Sequence, residues 1–97
     1  MLELEVHKIF TKDLIKAKLN PTNSAKLFLY ISKLLNNEEL PKEAKNHFLS
    51  GEWSDTQEFH ISGDLLVIYM ISESSLQLLR IGGSFHCTSN SLIFKFS

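Results

Sequence analysis

Histidine is the side chain best suited to moving protons near neutral pH, since its ordinary pKa near 6.5 lets it act as acid or base. The chain has four, at His7, His47, His60 and His86, together with Asp64, a lone Cys87 and Arg80 as its only arginine. A metal centre is one use for such residues. His86 and Cys87 are adjacent, however, and adjacent strand residues point to opposite faces. No H-x₃-H or C-x₂-C spacing occurs, so zinc is not expected. Taken singly, the other residues have ordinary explanations. A histidine on a strand (His60) or in a polar loop (His47) is more often a surface residue than a catalyst, and Asp64 after Ser62-Gly63 suits any tight turn. Arg80 closes an apolar strand pattern, a place where arginine tends to pair with phosphate or carboxylate. His7 has no partner in the pattern and reads as structural or exposed.

Bulk properties narrow the setting. Ninety-seven residues make one domain, 1–97, which would bury roughly 60–65% of its unfolded surface. A single cysteine rules out an internal disulfide and points to a reducing compartment. Glu3 and Glu5 stand where a secretory signal would be apolar, and the longest apolar run, Leu65 to Ile71, is far short of the ~20 residues that span a bilayer. The expected location is therefore the cytoplasm. The net charge of −1 is uneven: residues 1–50 carry eight lysines against six acids, residues 51–97 carry Arg80 and Lys95 against five acids. Proteins that grip nucleic acid through phosphate are expected to be basic, and composition alone would not suggest it here.

The candidate residues need a scaffold, and hydrophobic periodicity supplies one. Leu2, Leu4 and Val6 alternate with Glu3, Glu5 and His7, predicting a half-buried strand over 2–7. Phe10, Leu14 and Ala17 recur at helical spacing, predicting a helix over 10–19. Asn20-Pro21 stops it and starts the next, with Asn20 as N-cap and Pro21 at the first helical position; Leu27, Ile31, Leu34 and Leu35 carry that helix to about 36. Residues 38–55 read as one long connection, the kind that is functional or packed by its own side chains, with Trp53 as an anchor. Strands follow over 57–62, 65–71 and 76–81; the middle one is apolar on both faces, as a covered central strand would be. Gly82-Gly83 breaks the last of them, and 92–96 is either a short edge strand or a frayed end. Strand, helix, helix and three strands give an α+β fold, both helices packed on one face of a small antiparallel sheet.

Phe10-Thr11-Lys12-Asp13-Leu14, Leu40-Pro41, Asn46-His47-Phe48-Leu49, His60-Ile61-Ser62-Gly63-Asp64 and Arg80-Ile81-Gly82 stand in an order and spacing by which the chain, over residues 9 to 82, resembles the YafQ-like toxins of the RelE/ParE superfamily. Leu40-Pro41 is similar to that family's L-P. Asn46-His47-Phe48-Leu49-Ser50-Gly51-Glu52-Trp53 resembles its D-H-P-L-x-G-x-W, and His60-Ile61-Ser62-Gly63-Asp64-Leu65 its H-x-x-P-D-W. Leu66-Val67-Ile68-Tyr69 follows L-x-I-Y, Arg80-Ile81-Gly82 begins R-x-G-x-H, and Phe10-Thr11-Lys12-Asp13-Leu14 is similar to the first helix. The resemblance implies a RelE/ParE-like fold and a toxin that cleaves messenger RNA on the ribosome, held silent by a cognate antitoxin. It implies no metal and no other cofactor: the nucleotide's own 2′-hydroxyl attacks the adjacent phosphate, and the protein moves protons and stabilises charge. By motif position His47, His60 and Asp64 match catalytic residues, and Arg80 a cation able to hold the scissile phosphate. Gly83-Ser84-Phe85 separate His86 from the R-x-G segment, two more residues than the pattern has, and His86 is taken as the last catalytic histidine. The chain departs from the pattern at Leu65 in place of Trp, Gln57 where Arg is common and Phe48 in place of Pro, and it runs past the usual terminal L-F. Two other classes fit the same fold: a non-enzymatic ParE-like toxin that binds a protein target, and a relative that has kept an antitoxin groove but lost turnover.

Overall fold

Two local devices set the helices. Asn20 accepts a hydrogen bond from the Asn23 backbone N–H at 2.8 Å through its side-chain Oδ1, and Pro21 follows in the first turn, so α2 (Pro21–Leu35) starts where the expected N-cap stands. Before it, α1 (Lys8–Ala17) begins two residues earlier than periodicity suggests and ends at Lys18, whose φ of 47° takes the left-handed conformation that stops a helix. The structure is a computed structural model that describes residues 1–49, 55–87 and 92–95, with side chains described through Gly83. The expected anchor Trp53 lies outside the described residues.

Five strands form one sheet in the order β1-β5-β4-β3-β2, comprising β1 (Glu3–Val6), β2 (His47–Phe48), β3 (Gln57–Ser62), β4 (Leu65–Ser72) and β5 (Ser75–Gly82). β4 is central, as its two-sided apolar pattern predicts. Phe10 of α1 and Leu27, Tyr30 and Leu34 of α2 join one core cluster with Phe59, Ile61, Val67, Tyr69, Leu76, Leu78 and Ile81. Both helices therefore cover the same face of the sheet, and the α+β class holds. Tyr30 meets Phe59 edge-on at 5.5 Å between ring centroids, and Phe59 lies 5.6 Å from Tyr69, so an aromatic stack runs from α2 into β4.

The sheet corrects the expectation in three places. It is mixed rather than wholly antiparallel, because β1 pairs with β5 in parallel register, Leu4 beside Leu76 and Val6 beside Leu78. Parallel neighbours need a long crossover, and the stretch from α1 onward provides it. Nor is β1 half-buried: Leu4 and Val6 share the helix-side face with Leu76 and Leu78, yet are 46% and 47% exposed, since the helices cover the inner strands and stop short of this edge. Finally, the long connection contains structure of its own, a 3-10 turn at Lys42–Ala44 and the short edge strand β2.

Beyond Gly82 the chain leaves this sheet. β6 (Ser84–Cys87) and β7 (Leu92–Lys95) pair with each other in a separate two-stranded antiparallel ribbon, which resolves the tail as strand.

Candidate functional site

Strand alternation divides the sheet into a face closed by helices and an opposite face, and the register shows what stands on the second. Phe59 and Ile61 of β3 enter the core, so Glu58, His60 and Ser62 face the other way. Across the sheet His47 pairs with Glu58, Glu58 with Ile68, and Ile68 with Arg80; His60 pairs with Leu66, and Leu66 with Gly82. The polar residues thus form two rows over a floor of Ile68 and Leu66, both buried but outside the core cluster.

Arg80 owes its place on this face to an irregularity. Leu78 opposes Tyr69 and Arg80 opposes Ile68, so Leu79 is an extra residue in β5. Without that bulge Arg80, two residues after the core residue Leu78, would point under the helices; the extra residue turns it to the opposite side.

His47 and His60 lie side by side, ring centroids 6.5 Å apart and planes 32° apart. The His47 ring is held at both nitrogens. Its Nδ1 lies 2.7 Å from the Lys45 carbonyl oxygen, and its Nε2 lies 2.7 Å from Glu58 Oε1. Both partners are acceptors, an arrangement that only a ring donating from both nitrogens satisfies completely. The Lys45 carbonyl is aimed by the left-handed conformation of that residue, φ 49°. Glu58 is mostly covered, its side chain 14% exposed, while His47 is 51% exposed and faces solvent.

The residue before His47 is anchored from the far side of the sheet. Tyr69, fully buried on the helix side, places its hydroxyl 2.5 Å from Asn46 Oδ1, and Asn46 Nδ2 donates to Gln57 Oε1 at 3.2 Å. Gln57 Oε1 is also 3.1 Å from the hydroxyl, whose single proton goes to the nearer Asn46 oxygen. Burial pushes the Tyr69 phenol up to about 12, offset in part by the bond to Asn46, so it stays a donor at neutral pH. A cleft of about 460 Å³, lined by Asn46, Gln57, Tyr69, Leu34, Lys42 and Ile71 among others, opens beside this network and includes neither histidine.

Arg80 is engaged by α1. Its Nε donates to Asp13 Oδ2 at 2.9 Å and its Nη2 to Asp13 Oδ1 at 3.2 Å, while the Ile81 backbone N–H also reaches Asp13 Oδ2 at 3.4 Å. Asp13 is only 4% exposed. A carboxylate is one of the two partners expected of arginine at this strand end, phosphate being the other, and it fixes the plane of the guanidinium.

Of the residues singled out in the sequence, His47 and His60 come together, and Arg80 shares their face two strands from β3, about 10 Å away by strand spacing. Asp64 sits exposed in the turn between β3 and β4, at the end of the sheet where His60 stands. β5 ends at Gly82 in the row of His60, and four residues later His86 lies on β6 opposite Ile93; its side chain is outside the described residues. His7 is elsewhere, its Nε2 3.2 Å from Gln77 Oε1 on the exposed surface. The motif reading gave Glu58, Asn46, Tyr69 and Asp13 no role in the site, although Asn46, Tyr69 and Asp13 stand inside its segments. Period-2 alternation places Glu58 on the face of His60, and Asp13 stands on the buried stripe of α1, where an acid must have a partner. Among the described residues no three His, Cys, Asp or Glu side chains are grouped to hold a metal ion.

Comparison with known proteins bears on the family and the fold. The family described as bacterial toxin of type II toxin–antitoxin system, YafQ, matches residues 2–86. The mRNA interferase toxin YafQ of Escherichia coli K12 is 28% identical over 81 residues, 82% of this chain and 88% of that protein. A copper-bound mutant toxin from Helicobacter pylori superposes with a TM-score of 0.80 at 36% identity, covering 87% of this chain and 94% of the other. The toxin fold of the Escherichia coli DinJ–YafQ complex gives 0.75 at 27% identity, covering 87% and 93%.

Proposed function

The chain belongs to the YafQ family of type II toxin–antitoxin toxins, and from that premise we propose that it is an mRNA interferase, a metal-independent endoribonuclease that cuts messenger RNA on the ribosome. The observation that carries the reading is the pair His47 and His60, side by side on the face opposite the helices with Glu58 against one of them. RNA cleavage without a metal needs a base for the 2′-hydroxyl proton, an acid for the departing 5′-oxygen, and positive charge beside the phosphate as it gains a fifth oxygen. His60 and His86 divide the two proton steps. His47, donating from both nitrogens, gives up one acceptor to the phosphate and supports its charge. Arg80 contacts the phosphate from the next strands, and Asp64 orients a histidine from the β3–β4 turn. The products are a 2′,3′-cyclic phosphate and a 5′-hydroxyl.

The name of the Escherichia coli relative and the complex of that relative with DinJ support two partners for this chain, mRNA and a cognate antitoxin. The overall charge of −1 is compatible with a ribosomal site because the lysines are concentrated in residues 1–50, eight in number. No helix among the described residues is long and apolar enough to cross a membrane. The test is direct: add the purified chain to ribosomes translating a defined message and map the 5′ ends. Cuts in translated message that vanish in the His60→Ala, His86→Ala double variant support the reading; an intact message with growth arrest retained in cells overturns it.

A further inference from the structure

We propose that Tyr69 and Asn46 are positioning residues for His47: a buried phenol on the helix side of the sheet sets the placement of an imidazole on the opposite face. This rests on the reading above only in making His47 part of the reaction; the structural link is independent of it.

His47 stands on a two-residue edge strand preceded by a left-handed residue, Lys45, and such a short strand has little to hold it. Its pairing with β3 spans two residues, His47 with Glu58 and Phe48 with Gln57. What lies between Lys45 and His47 is Asn46, and the Asn46 side chain is gripped twice, by the Tyr69 hydroxyl at 2.5 Å and by Gln57 at 3.2 Å. Tyr69 is itself immobile: it is fully buried, packs against Phe59, and through Phe59 is braced by Tyr30 of α2. The packed core is thereby connected to a half-exposed functional side chain. The grip on Asn46 also holds the neighbouring Lys45 carbonyl where it accepts from His47 Nδ1, leaving Nε2 directed at Glu58.

The clamp is made of neutral groups. Asn46 and Gln57 carry amides, and the phenol keeps its proton well above neutral pH. Salt does not screen such bonds as it screens an ion pair, so the imidazole stays placed under conditions that weaken charge contacts.

The experiment uses the full-length protein and three variants. Tyr69→Phe removes one oxygen and keeps the ring, Asn46→Leu removes the acceptor at an exposed position, and Asn46→Asp keeps an oxygen for the phenol. Ring ¹⁵N–¹H correlations of His47 report its Nδ1–H bond without any need for turnover. Tyr69→Phe and Asn46→Leu are expected to move the His47 signals and to lower the maximal cleavage rate roughly 10- to 100-fold at unchanged half-saturating message, the loss that follows misplacement of a reacting group by about 1 Å. Asn46→Asp is expected to keep both within about threefold, and Tyr69→Phe is expected to cost little more once His47 is already alanine. Unchanged His47 signals in both Tyr69→Phe and Asn46→Leu overturn the proposal, as does a full additional loss from Tyr69→Phe in the His47→Ala background. If the wild-type chain does not cleave message, the proposed function fails, and the His47 spectra still decide whether the clamp exists.

Discussion

His47 and Glu58 face each other across two paired strands, with the imidazole Nε2 2.7 Å from a carboxylate oxygen. The carboxylate orients the ring. Glu58→Gln keeps the size of the side chain and loses its charge. We expect it to lower message cleavage roughly tenfold and Glu58→Ala more, in a translation reaction read by primer extension, with circular dichroism unchanged. Equal rates for both variants and wild type would remove Glu58 from the site.

His60→Ala and His86→Ala should each slow cleavage by roughly 10²–10⁴-fold, the usual contribution of a general acid or base. His7→Ala, at a surface contact with Gln77 and apart from the His47–His60 pair, should leave the rate unchanged. Single-turnover kinetics on translating ribosomes distinguish these outcomes, and a His7 effect as large as that of His60 would contradict the site.

Arg80→Ala acts on stability as well as on rate. It leaves Asp13, 4% exposed, without the bidentate partner that satisfies it. Breaking a buried pair from one side costs roughly 3–5 kcal/mol, reduced here because the Arg80 side chain keeps 26% exposure. A fall in Tm on the order of 10 °C is expected in a chain of this length. The double variant Asp13→Ala, Arg80→Ala should recover part of it, and a melting curve for Arg80→Ala that overlays the wild type would show that the pair contributes nothing.

Alkaline pH should weaken the fold through Tyr69. Its phenol is pushed up to about 12 in the folded chain, chiefly by burial, against about 10 when unfolded. The unfolded chain therefore loses this proton first. The associated stability is complete below about pH 10 and drains away as pH rises towards 12. Thermal melts between about pH 9 and 11 should decline less steeply for Tyr69→Phe than for wild type; parallel declines would exclude Tyr69 as the cause.

What could be read from the chain beforehand divides along the range of the interactions involved. Asn20-Pro21 marks the start of α2 because capping is a local matter of three or four residues. The central place of β4 shows in its own two-sided apolar run. The direction of β1 does not, since alternation in Leu2, Leu4 and Val6 is the same whether the neighbour runs parallel or antiparallel, and burial on an edge depends on how far the helices extend. In the site, His47 and His60 carry a motif and were legible. The Asp13 that receives Arg80 and the phenol that holds Asn46 are pairings between residues 67 and 23 positions apart, and the Leu79 bulge depends on how β4 and β5 register, so none has a signature in a single window of sequence.

The parallel pairing of β1 with β5 has a consequence for the order of synthesis. Glu3 lies beside Ser75, and Val6 beside Leu78, so the first strand made has no neighbour until the chain has grown by some seventy residues. Elongation at roughly 5–20 residues per second leaves that strand waiting for several seconds, with Leu4 and Val6 available to anything nearby. β2, β3, β4 and β5 can pair in the order they emerge, but β1 joins the sheet only after β5 is made. A nascent chain thus lacks its completed sheet for most of its translation, with β1 the last of the five strands to find its neighbour.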